Sequence, residues 1–451
     1  MHRHAGWLVI VLAAGGAWGG NIVDPAGGGR LKEAQRHEFT RPVKVYKMAG
    51  AEGKVLDGQL KGVLVRFEGP TENRPLLVMF RCWGGNINGT VGTANYEDEA
   101  NDPFVALVID LPAGNPTSVE NTWYWGGVWK DDKGAKWSVP WFHNAVVELL
   151  NDILSGTFSV KDAIGCTIDP NRVYANGHSI GGSATHQIAI KHPEIFAAYH
   201  AHSGWTDYGR CYNPRTACHW GDMVGVAHDD AKVLANADQV YLGVDKTRAI
   251  SAWDYTDLAW YFGKAGQKWN FRDPGFPTPY IYFTNGAKDA PKVQGDHLQP
   301  VLEESRRGYT FNRHGGGHSD GNFIRFRYLR NFRKNQSFLA FTGRDYGPKD
   351  VTTTGVFNDL AVHGWDPAGI VDGPARYAVK LTGKGTADVT LRRLQKLRHE
   401  PGTAYRVKIN GRAAPQVTAD AFGLITIPQV ADDAAIELEV AGAEKVTSKA
   451  R

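Results

Sequence analysis

Two stretches of continuous apolar residues stand out in the first part of the chain, Leu76–Phe80 and Phe104–Leu111. Strands that are covered on both faces carry runs of this kind, whereas half-exposed strands alternate apolar and polar positions. Between Pro140 and Leu154 the apolar residues instead recur at the spacing of one helix face. The pattern therefore predicts a mostly parallel sheet with helices on both faces, an α/β fold.

This alternation of strands and helices continues from about residue 43 to residue 333. A second helix is predicted over Ser183–Lys191. A last helix is expected to begin at Ser319 or Asp320, either of which can cap it, and to run through Arg333. The further strands predicted in this part are Val43–Met48, Gly62–Phe67, Arg172–Ser179, Phe196–Ser203, Pro279–Thr284 and Gly308–Arg313.

The pattern changes after about residue 345, where short alternating strands are separated by turn residues such as Asn410-Gly411. This arrangement predicts a separate small β-sandwich over residues 345–451. Its expected strands are Tyr377–Leu381, Ala387–Leu391, Ala404–Ile409, Pro415–Thr418, Leu424–Ile427 and Ala435–Val440.

Residues 205–278 fit no single helix between two parallel strands, because about 75 residues separate Gly204 from Pro279. A segment of this length predicts an inserted lid over the site. It is rich in tryptophan, which either faces substrate or packs the lid onto the body. The residues concerned are Trp205, Trp220, Trp253, Trp260 and Trp269.

A length of 451 residues favours two domains, and 20–342 is the predicted catalytic domain. The net charge of +4 is nearly balanced and no basic block occurs, so nucleic acid is not an expected partner.

Residues 1–19 have the pattern of an export signal. Arg3 supplies a positive charge, Trp7–Ala14 is a short apolar run, and Ala17 and Gly19 are small residues at a cleavage site. A retained anchor is the alternative, although the run is too short to span a bilayer. No later segment is apolar enough to cross a membrane. The expected location is therefore secreted or periplasmic.

Four cysteines suit that compartment. Cys211 and Cys218 are close enough in sequence for a small loop-closing disulfide. Cys82 and Cys166 remain, and Cys82 follows a predicted buried strand. No spacing of Cys and His is typical of a metal site, and the sequence implies no cofactor.

The pentapeptide Gly177-His178-Ser179-Ile180-Gly181 has the form GxSxG. The pattern alone is weak evidence, but here a predicted strand enters it and a predicted helix leaves it. This context is that of a sharp turn that lifts a serine hydroxyl above a sheet edge. Small residues are needed there because side chains would collide in the turn. Ser179 is therefore predicted to be a nucleophile.

A nucleophilic serine needs a histidine base, and the histidine needs a carboxylate that orients it. His318 lies in a glycine-rich loop after the last predicted strand, and His314 at the end of that strand is the competitor. The acid is expected after Pro279–Thr284, where Asp289 is preferred and Asp296 is the alternative.

Two backbone N–H groups must face the oxyanion that develops on the substrate. The N–H of Ile180 is one expected donor, and the second is expected from Cys82 or Trp83, in the turn after Leu76–Phe80. Substrate contacts are predicted for His178 and for Trp205, with lid packing as the alternative for the indole. Buried packing is favoured over metal binding for the two histidines at positions 200 and 202.

At these residues the chain resembles the polyhydroxybutyrate depolymerase and feruloyl esterase group of the α/β hydrolases. The similarity covers about residues 60 to 333, and the group's secreted depolymerases often carry an added β-domain. The segments that carry it are Ile168–Tyr174, the GHSIGG of residues 177–182, His192–Ala198 and Gly315–Ser319.

The resemblance implies a serine carboxylic-ester hydrolase that acts on feruloyl or acetyl esters of plant polysaccharide, with a polyester as the close alternative. Such an enzyme takes an ester substrate, including polymeric ones, and the oligomeric state stays open. One departure concerns the oxyanion loop, because the group usually has His-Gly where this chain has Arg81-Cys82.

Two other classes are weighed against an esterase. A prolyl-oligopeptidase-like peptidase shares the order Ser, acid, His, but such enzymes normally carry a large propeller, for which the roughly 40 residues before the first strand leave no room. A non-catalytic binding protein is disfavoured by that intact order.

Overall fold

The computed structural model describes residues 31–43, 58–82, 85–94, 103–110, 128–130, 136–138, 141–204, 206, 239–241, 249–251, 277–289, 292–318, 326–348, 354–360 and 362–441. The predicted signal peptide, Trp83, Trp205 and the Cys211–Cys218 pair lie outside these residues, as does nearly all of the predicted strand Val43–Met48.

A sheet of nine strands forms the body, in the order β1-β2-β4-β3-β7-β8-β11-β12-β14. The central strands, from β4 to β12 in this order, are parallel to their neighbours, and the outer pairings are antiparallel. The strands are β1 (Glu33–Val43), β2 (Gly58–Phe67), β3 (Arg74–Phe80), β4 (Val105–Ile109), β7 (Ile168–His178), β8 (Ala198–His202), β11 (Tyr280–Gly286), β12 (Tyr309–His314) and β14 (Gly355–Phe357). The prediction of a mostly parallel α/β sheet is confirmed.

Both faces of this sheet are covered. Every residue of β3 and β4 is buried, as their continuous apolar runs predicted. Side chains of β3 alternate between two cores, with Leu76 and Val78 in one and Leu77 and Met79 in the other. The helices are α1 (Ile87–Ala94), α2 (Trp141–Ser155), α3 (Val160–Ile164), α4 (Ile180–Lys191), α5 (Lys292–Glu304) and α6 (Phe326–Leu329).

The last helix differs from its prediction. α6 ends at Leu329 rather than at Arg333, and its predicted caps lie outside the described residues. Phe332 turns into the core, where its ring stacks on Tyr280 at a centroid distance of 4.1 Å. The N–H of Phe332 donates to the carbonyl oxygen of Leu329 at 3.0 Å, a bond between residues three apart that replaces the α-helical pattern at this point.

Two strands of the predicted insertion belong to a second sheet, β9 (Gln239–Tyr241) and β10 (Ala249–Ser251). They join β5 (Val128–Lys130) and β6 (Lys136–Ser138), which precede α2, in the order β10-β9-β6-β5. The insertion is thus paired with a second segment that the sequence pattern did not identify. Strands of three residues are too short to show a period.

Beyond the nine-stranded sheet, the later residues form two more sheets, and none of their strands exceeds eight residues. One has the order β13-β18-β21, and the other has β15-β17-β22-β19-β20 with β16 paired to β17. Their strands are β13 (Phe338–Thr342), β15 (His363–Trp365), β16 (Val371–Asp372), β17 (Arg376–Gly383), β18 (Thr386–Arg392), β19 (Ala404–Ile409), β20 (Arg412–Thr418), β21 (Thr426–Ala431) and β22 (Ala435–Val440).

The strands near residue 345 cross the predicted boundary between the catalytic and accessory domains. β13 precedes the boundary but pairs with β18, and β14 follows it but pairs with β12 of the main sheet. Each part of the chain therefore contributes one short strand to the sheet of the other.

The later sheets contact the main sheet at the amino ends of its parallel strands. Arg393, next to the end of β18, donates hydrogen bonds to the carbonyl oxygens of Ala197 at 3.1 Å and of Thr278 at 3.0 Å. Ala197 directly precedes β8, and Thr278 lies just before β11. The carboxyl ends of the same strands, where α/β folds place their sites, are thus left to other residues.

Candidate active site

Ser179 lies in the sharp turn between β7 and α4, with φ 59° and ψ −123°. A non-glycine residue is costly in this region of backbone space, and such strain persists only when the surroundings hold it. Here the N–H of Ser179 donates to the carbonyl of His202 at 2.8 Å, and its carbonyl accepts from the N–H of Ser183 at 3.0 Å. The strained turn exposes the hydroxyl at the carboxyl edge of the sheet.

Glycines make this turn sterically possible. A Cβ on Gly177 would lie 2.2 Å from the carbonyl oxygen of Gly181. A Cβ on Gly181 would lie 2.2 Å from the carbonyl oxygen of Phe80. Both obstacles are backbone atoms, so neither position tolerates a side chain without displacing β3 or α4.

His318 connects the serine to a carboxylate. Its Nε2 lies 2.7 Å from Oγ of Ser179, and its Nδ1 lies 2.9 Å from Oδ1 of Asp289. Because the carboxylate accepts from Nδ1–H, the tautomer leaves Nε2 unprotonated and able to accept the serine proton. Asp289 is buried, whereas the side chain of His318 is 38% exposed, so the base stays accessible from the solvent side.

The loops of the acid and the base are tied together by main-chain hydrogen bonds. The N–H of Ala287 donates to the carbonyl oxygen of His314 at 2.8 Å, and the N–H of Lys288 donates to that of Gly316 at 3.0 Å. A Cβ on Gly286 would lie 2.5 Å from the carbonyl oxygens of Gly316 and Gly317. The two loops therefore pack as one unit, which sets the distance between acid and base.

The competing residues have other partners. Asp296, in α5, forms an ion pair with the buried guanidinium of Arg313. The ring of His314 stacks on His202 at 5.6 Å, and its Nδ1 accepts from the N–H of Gly316 at 3.3 Å. The structure thus brings together Ser179, Asp289 and His318, the preferred residues of the sequence prediction.

His178 has a different contact from the one predicted. Its Nε2–H donates to the carbonyl oxygen of His318 at 2.8 Å, so the ring holds the main chain of the base in place. Burial, together with the nearby His318 ring, lowers the pKa of His178 to about 4, so the ring stays a neutral donor near pH 7. Contact of this ring with substrate stays a prediction, and nothing local in the sequence signals the bond to His318 across 140 residues.

Two more histidines lie behind the site on β8. His202 and His200 are buried, and their Nδ1 atoms lie 2.5 Å from Oγ1 of Thr284 and 3.3 Å from Nδ2 of Asn176. Burial lowers the pKa of His202 well below its usual value. Packing was the favoured prediction for both rings, and their burial confirms it. In the part of the chain that the structure describes, no three His, Cys, Asp or Glu side chains are placed to hold a metal ion.

Two of the three predicted oxyanion donors, Ile180 and Cys82, lie in the described part of the chain. Ile180 is the first residue of α4, where the main-chain N–H groups of a helix have no partner within the helix. Cys82 follows β3, is half-buried and carries a free thiol whose pKa is raised by burial. Arg81, which the sequence reasoning noted only as a departure, forms an ion pair with Asp110 at this point.

The strand order and the strained serine at the carboxyl edge are typical of the α/β-hydrolase fold, and Ser179, His318 and Asp289 are placed as a nucleophile, a base and an orienting acid would be. The family model of the prolyl oligopeptidase family matches residues 130–239. No curated protein matches the chain. Among the described residues, no helix is long and apolar enough to cross a membrane.

Three solved structures of hydrolases are similar to part of this chain. An S-formylglutathione hydrolase from Agrobacterium tumefaciens is 16% identical, with a TM-score of 0.40 over 67% of this chain and 94% of its own. An esterase from Pyrobaculum calidifontis is 12% identical, with a TM-score of 0.39 over 65% and 78%. A ferulic acid esterase is 11% identical, with a TM-score of 0.37 over 63% and 93%.

Proposed function

We propose that this protein is a carboxylic-ester hydrolase that works through an acyl-enzyme on Ser179. The observation that carries the proposal is the continuous pair of contacts from Ser179 Oγ to His318 and from His318 to Asp289, at 2.7 Å and 2.9 Å. These distances lie within the reach that proton transfer requires.

In the first half of the reaction, Oγ of Ser179 attacks the ester carbonyl carbon while Nε2 of His318 takes the hydroxyl proton. The oxyanion that forms accepts hydrogen bonds from the N–H of Ile180 and from that of Cys82 or Trp83. Collapse of this intermediate breaks the bond to the alcohol oxygen, which receives the proton from His318. Asp289 stabilises the imidazolium in between.

The second half repeats these steps with water. His318 removes a proton from a water molecule, which attacks the acyl carbon bound to Ser179. Ser179 then leaves with the proton that His318 returns, and the carboxylic acid departs. No cofactor takes part in this sequence.

The substrates proposed are feruloyl or acetyl esters of plant polysaccharide, with a polyhydroxyalkanoate-type polyester as the alternative. Support comes from the resemblance in the GHSIGG segment and in Gly315–Ser319. Export of the chain through residues 1–19 fits a polymeric substrate outside the cell, and residues from about 345 serve as an accessory part. N-terminal sequencing of the exported protein tests the signal peptide.

A serine peptidase is the second candidate, because the prolyl oligopeptidase family model matches residues 130–239. The same three residues would then cleave an amide bond, whose amine leaving group depends more strongly on protonation by His318.

A hydrolysis panel distinguishes these activities. It compares methyl ferulate, acetylated xylan, polyhydroxybutyrate and a prolyl peptide amide, with Ser179→Ala as the matched control. An esterase hydrolyses at least one ester and not the amide, and Ser179→Ala loses that activity by about 10³-fold or more. Cleavage of the amide alone would favour the peptidase, and full activity of Ser179→Ala would exclude the mechanism.

A further inference from the structure

One guanidinium crosslinks the segment in which the second oxyanion donor is expected. Arg81 follows β3, and its Nη1 donates to the carbonyl oxygens of Gly85 at 2.9 Å and of Cys82 at 3.3 Å. Its Nε donates to the carboxylate of Asp110. The N–H of Gly85 also donates to the carbonyl oxygen of Cys82 at 3.2 Å.

Asp110 fixes the other end of this contact in the sheet. It directly follows β4, and its N–H donates to the carbonyl of Lys61 on β2 at 2.9 Å. The side chains of Arg81 and Asp110 are 16% and 25% exposed, so the ion pair is partly shielded from water. Cys82 and Gly85 are thereby connected to β4 and β2 and are not held by β3 alone.

The main chain of Phe80 and Arg81 packs directly on the turn that contains Ser179. A Cβ on Gly181 would lie 2.2 Å from the carbonyl oxygen of Phe80 and 2.9 Å from that of Arg81. The main chain leaving β3 therefore packs on the first turn of α4, two residues after Ser179. A shift of this main chain would move the N–H groups that follow Arg81 relative to the serine. Oxyanion donors act only when they are held in position.

We propose that Arg81, oriented by Asp110, is a positioning residue for the oxyanion loop. The inference rests on the proposed function and deepens it. Arg81 touches neither Ser179 nor His318 among the described contacts, and it acts by holding Cys82 and Gly85 in place next to the main chain that packs on α4. Its loss weakens transition-state stabilisation and leaves ground-state binding of the ester unchanged, so kcat falls while KM stays constant.

The test compares Arg81→Gln and Asp110→Asn with Arg66→Gln. Arg66 is a matched control, because its part-buried guanidinium also donates to a main-chain carbonyl, that of Ile164 at 2.8 Å, at a distance from this loop. With a short p-nitrophenyl ester, Arg81→Gln is expected to lower kcat by about 10- to 100-fold with KM within about twofold. Asp110→Asn should show a smaller loss, and Arg66→Gln none.

Chemical rescue separates positioning from a general loss of structure. A cleft of about 310 Å³ lies beside Arg81, Asp110 and Gly85, so a small cation can reach the position of the missing side chain. Added guanidinium at millimolar concentration should restore kcat of Arg81→Ala several-fold and leave the wild-type protein unchanged. Lack of rescue together with wild-type kcat in Asp110→Asn would overturn the inference, as would a rise in KM alone.

Fluorophosphonate labelling of Ser179 keeps this test distinct from that of the proposed function. Labelling needs the nucleophile and its base but no particular ester, and its rate should fall in Arg81→Gln by the factor seen in kcat. If the wild-type serine is not labelled, the proposed function fails. If the wild-type and Arg81→Gln proteins label at the same rate, only the role of Arg81 fails.

Discussion

His178 Nε2 donates a hydrogen bond of 2.8 Å to the main-chain carbonyl of His318, the residue whose Nε2 faces Ser179. The residue before the nucleophile thus holds the main chain of the base. The ring centroids of the two histidines are 4.9 Å apart. Because His318 lies in a loop, this contact restrains where its imidazole can go.

Replacing His178 by Phe should therefore lower kcat on a short ester by at least about tenfold, because a small misplacement of a catalytic group is costly. His178→Gln keeps an N–H donor and should recover part of the loss. The comparison is His186→Phe, which removes another buried histidine of the same region, one that bonds to Tyr199 at 3.0 Å. Equal losses in all three variants, or unchanged kcat in His178→Phe, would refute a positioning role.

Gly181→Ala tests the contact between β3 and α4. The added Cβ meets the carbonyl oxygen of Phe80 at 2.2 Å, so the elements must separate, and we expect a loss of about 2–4 kcal/mol in the free energy of unfolding together with loss of activity. Urea denaturation measures the first quantity. Gly92→Ala in α1 is the control, since nothing lies within 4 Å of its Cβ, and it should leave stability equal or slightly higher.

Replacing Arg393 should lower the free energy of unfolding without changing kcat. Its part-buried guanidinium bonds to main-chain carbonyls at the amino edge of the sheet and lies 5.1 Å from the ring of Phe338. Arg393→Met leaves these carbonyl oxygens without their side-chain donor, so the free energy of unfolding should fall by about 2–3 kcal/mol. The kcat of the folded variant should match the wild type, because the site lies at the opposite edge. A selective loss of kcat would contradict this placement.

Buried histidines predict destabilisation in acid. Burial lowers the pKa of His178 to about 4 and of His186 to about 3, and it lowers those of His143 and His202 well below 6.5. The unfolded chain binds protons at these positions below pH 6.5, whereas the folded chain does not. The contribution to stability is therefore complete above pH 6.5 and is lost as the pH falls toward 4, by up to about 1.4 kcal/mol per pH unit for each histidine.

His186→Phe isolates one of these groups. Between pH 6.5 and pH 4.5 the unfolding free energy of this variant should fall less steeply than that of the wild type. The difference in slope corresponds to one proton, or roughly 1.4 kcal/mol per pH unit. Urea denaturation at several pH values gives the two slopes. Identical slopes would mean that the His186 ring is protonated in the folded protein.

Elements with a strong local pattern could be predicted from the sequence. The limits of β19 and β22 agree with those read from alternation and turn residues, and β3 and β4 follow from their continuous apolar runs. Ser179, Asp289 and His318 could also be located, because a parallel sheet brings the ends of β7, β11 and β12 to one edge.

Contacts between distant side chains could not be predicted. The bond from His178 to His318 spans 140 residues, and the ion pair of Arg81 with Asp110 spans 29. Both involve a donor with several available acceptors, and only the packing of the strands selects one. The exchange of β13 and β14 between sheets has the same origin, since neither strand is long enough to show which partner it takes.

The most direct test of the central claim is to trap the acyl group on the protein. Acid quenching during turnover of a short p-nitrophenyl ester, followed by mass spectrometry of proteolytic peptides, should reveal one acyl group on Ser179 and none in Ser179→Ala. The group should accumulate in His318→Ala only to a much smaller extent. An acyl group on another residue, or ester hydrolysis by Ser179→Ala at the wild-type rate, would contradict the account.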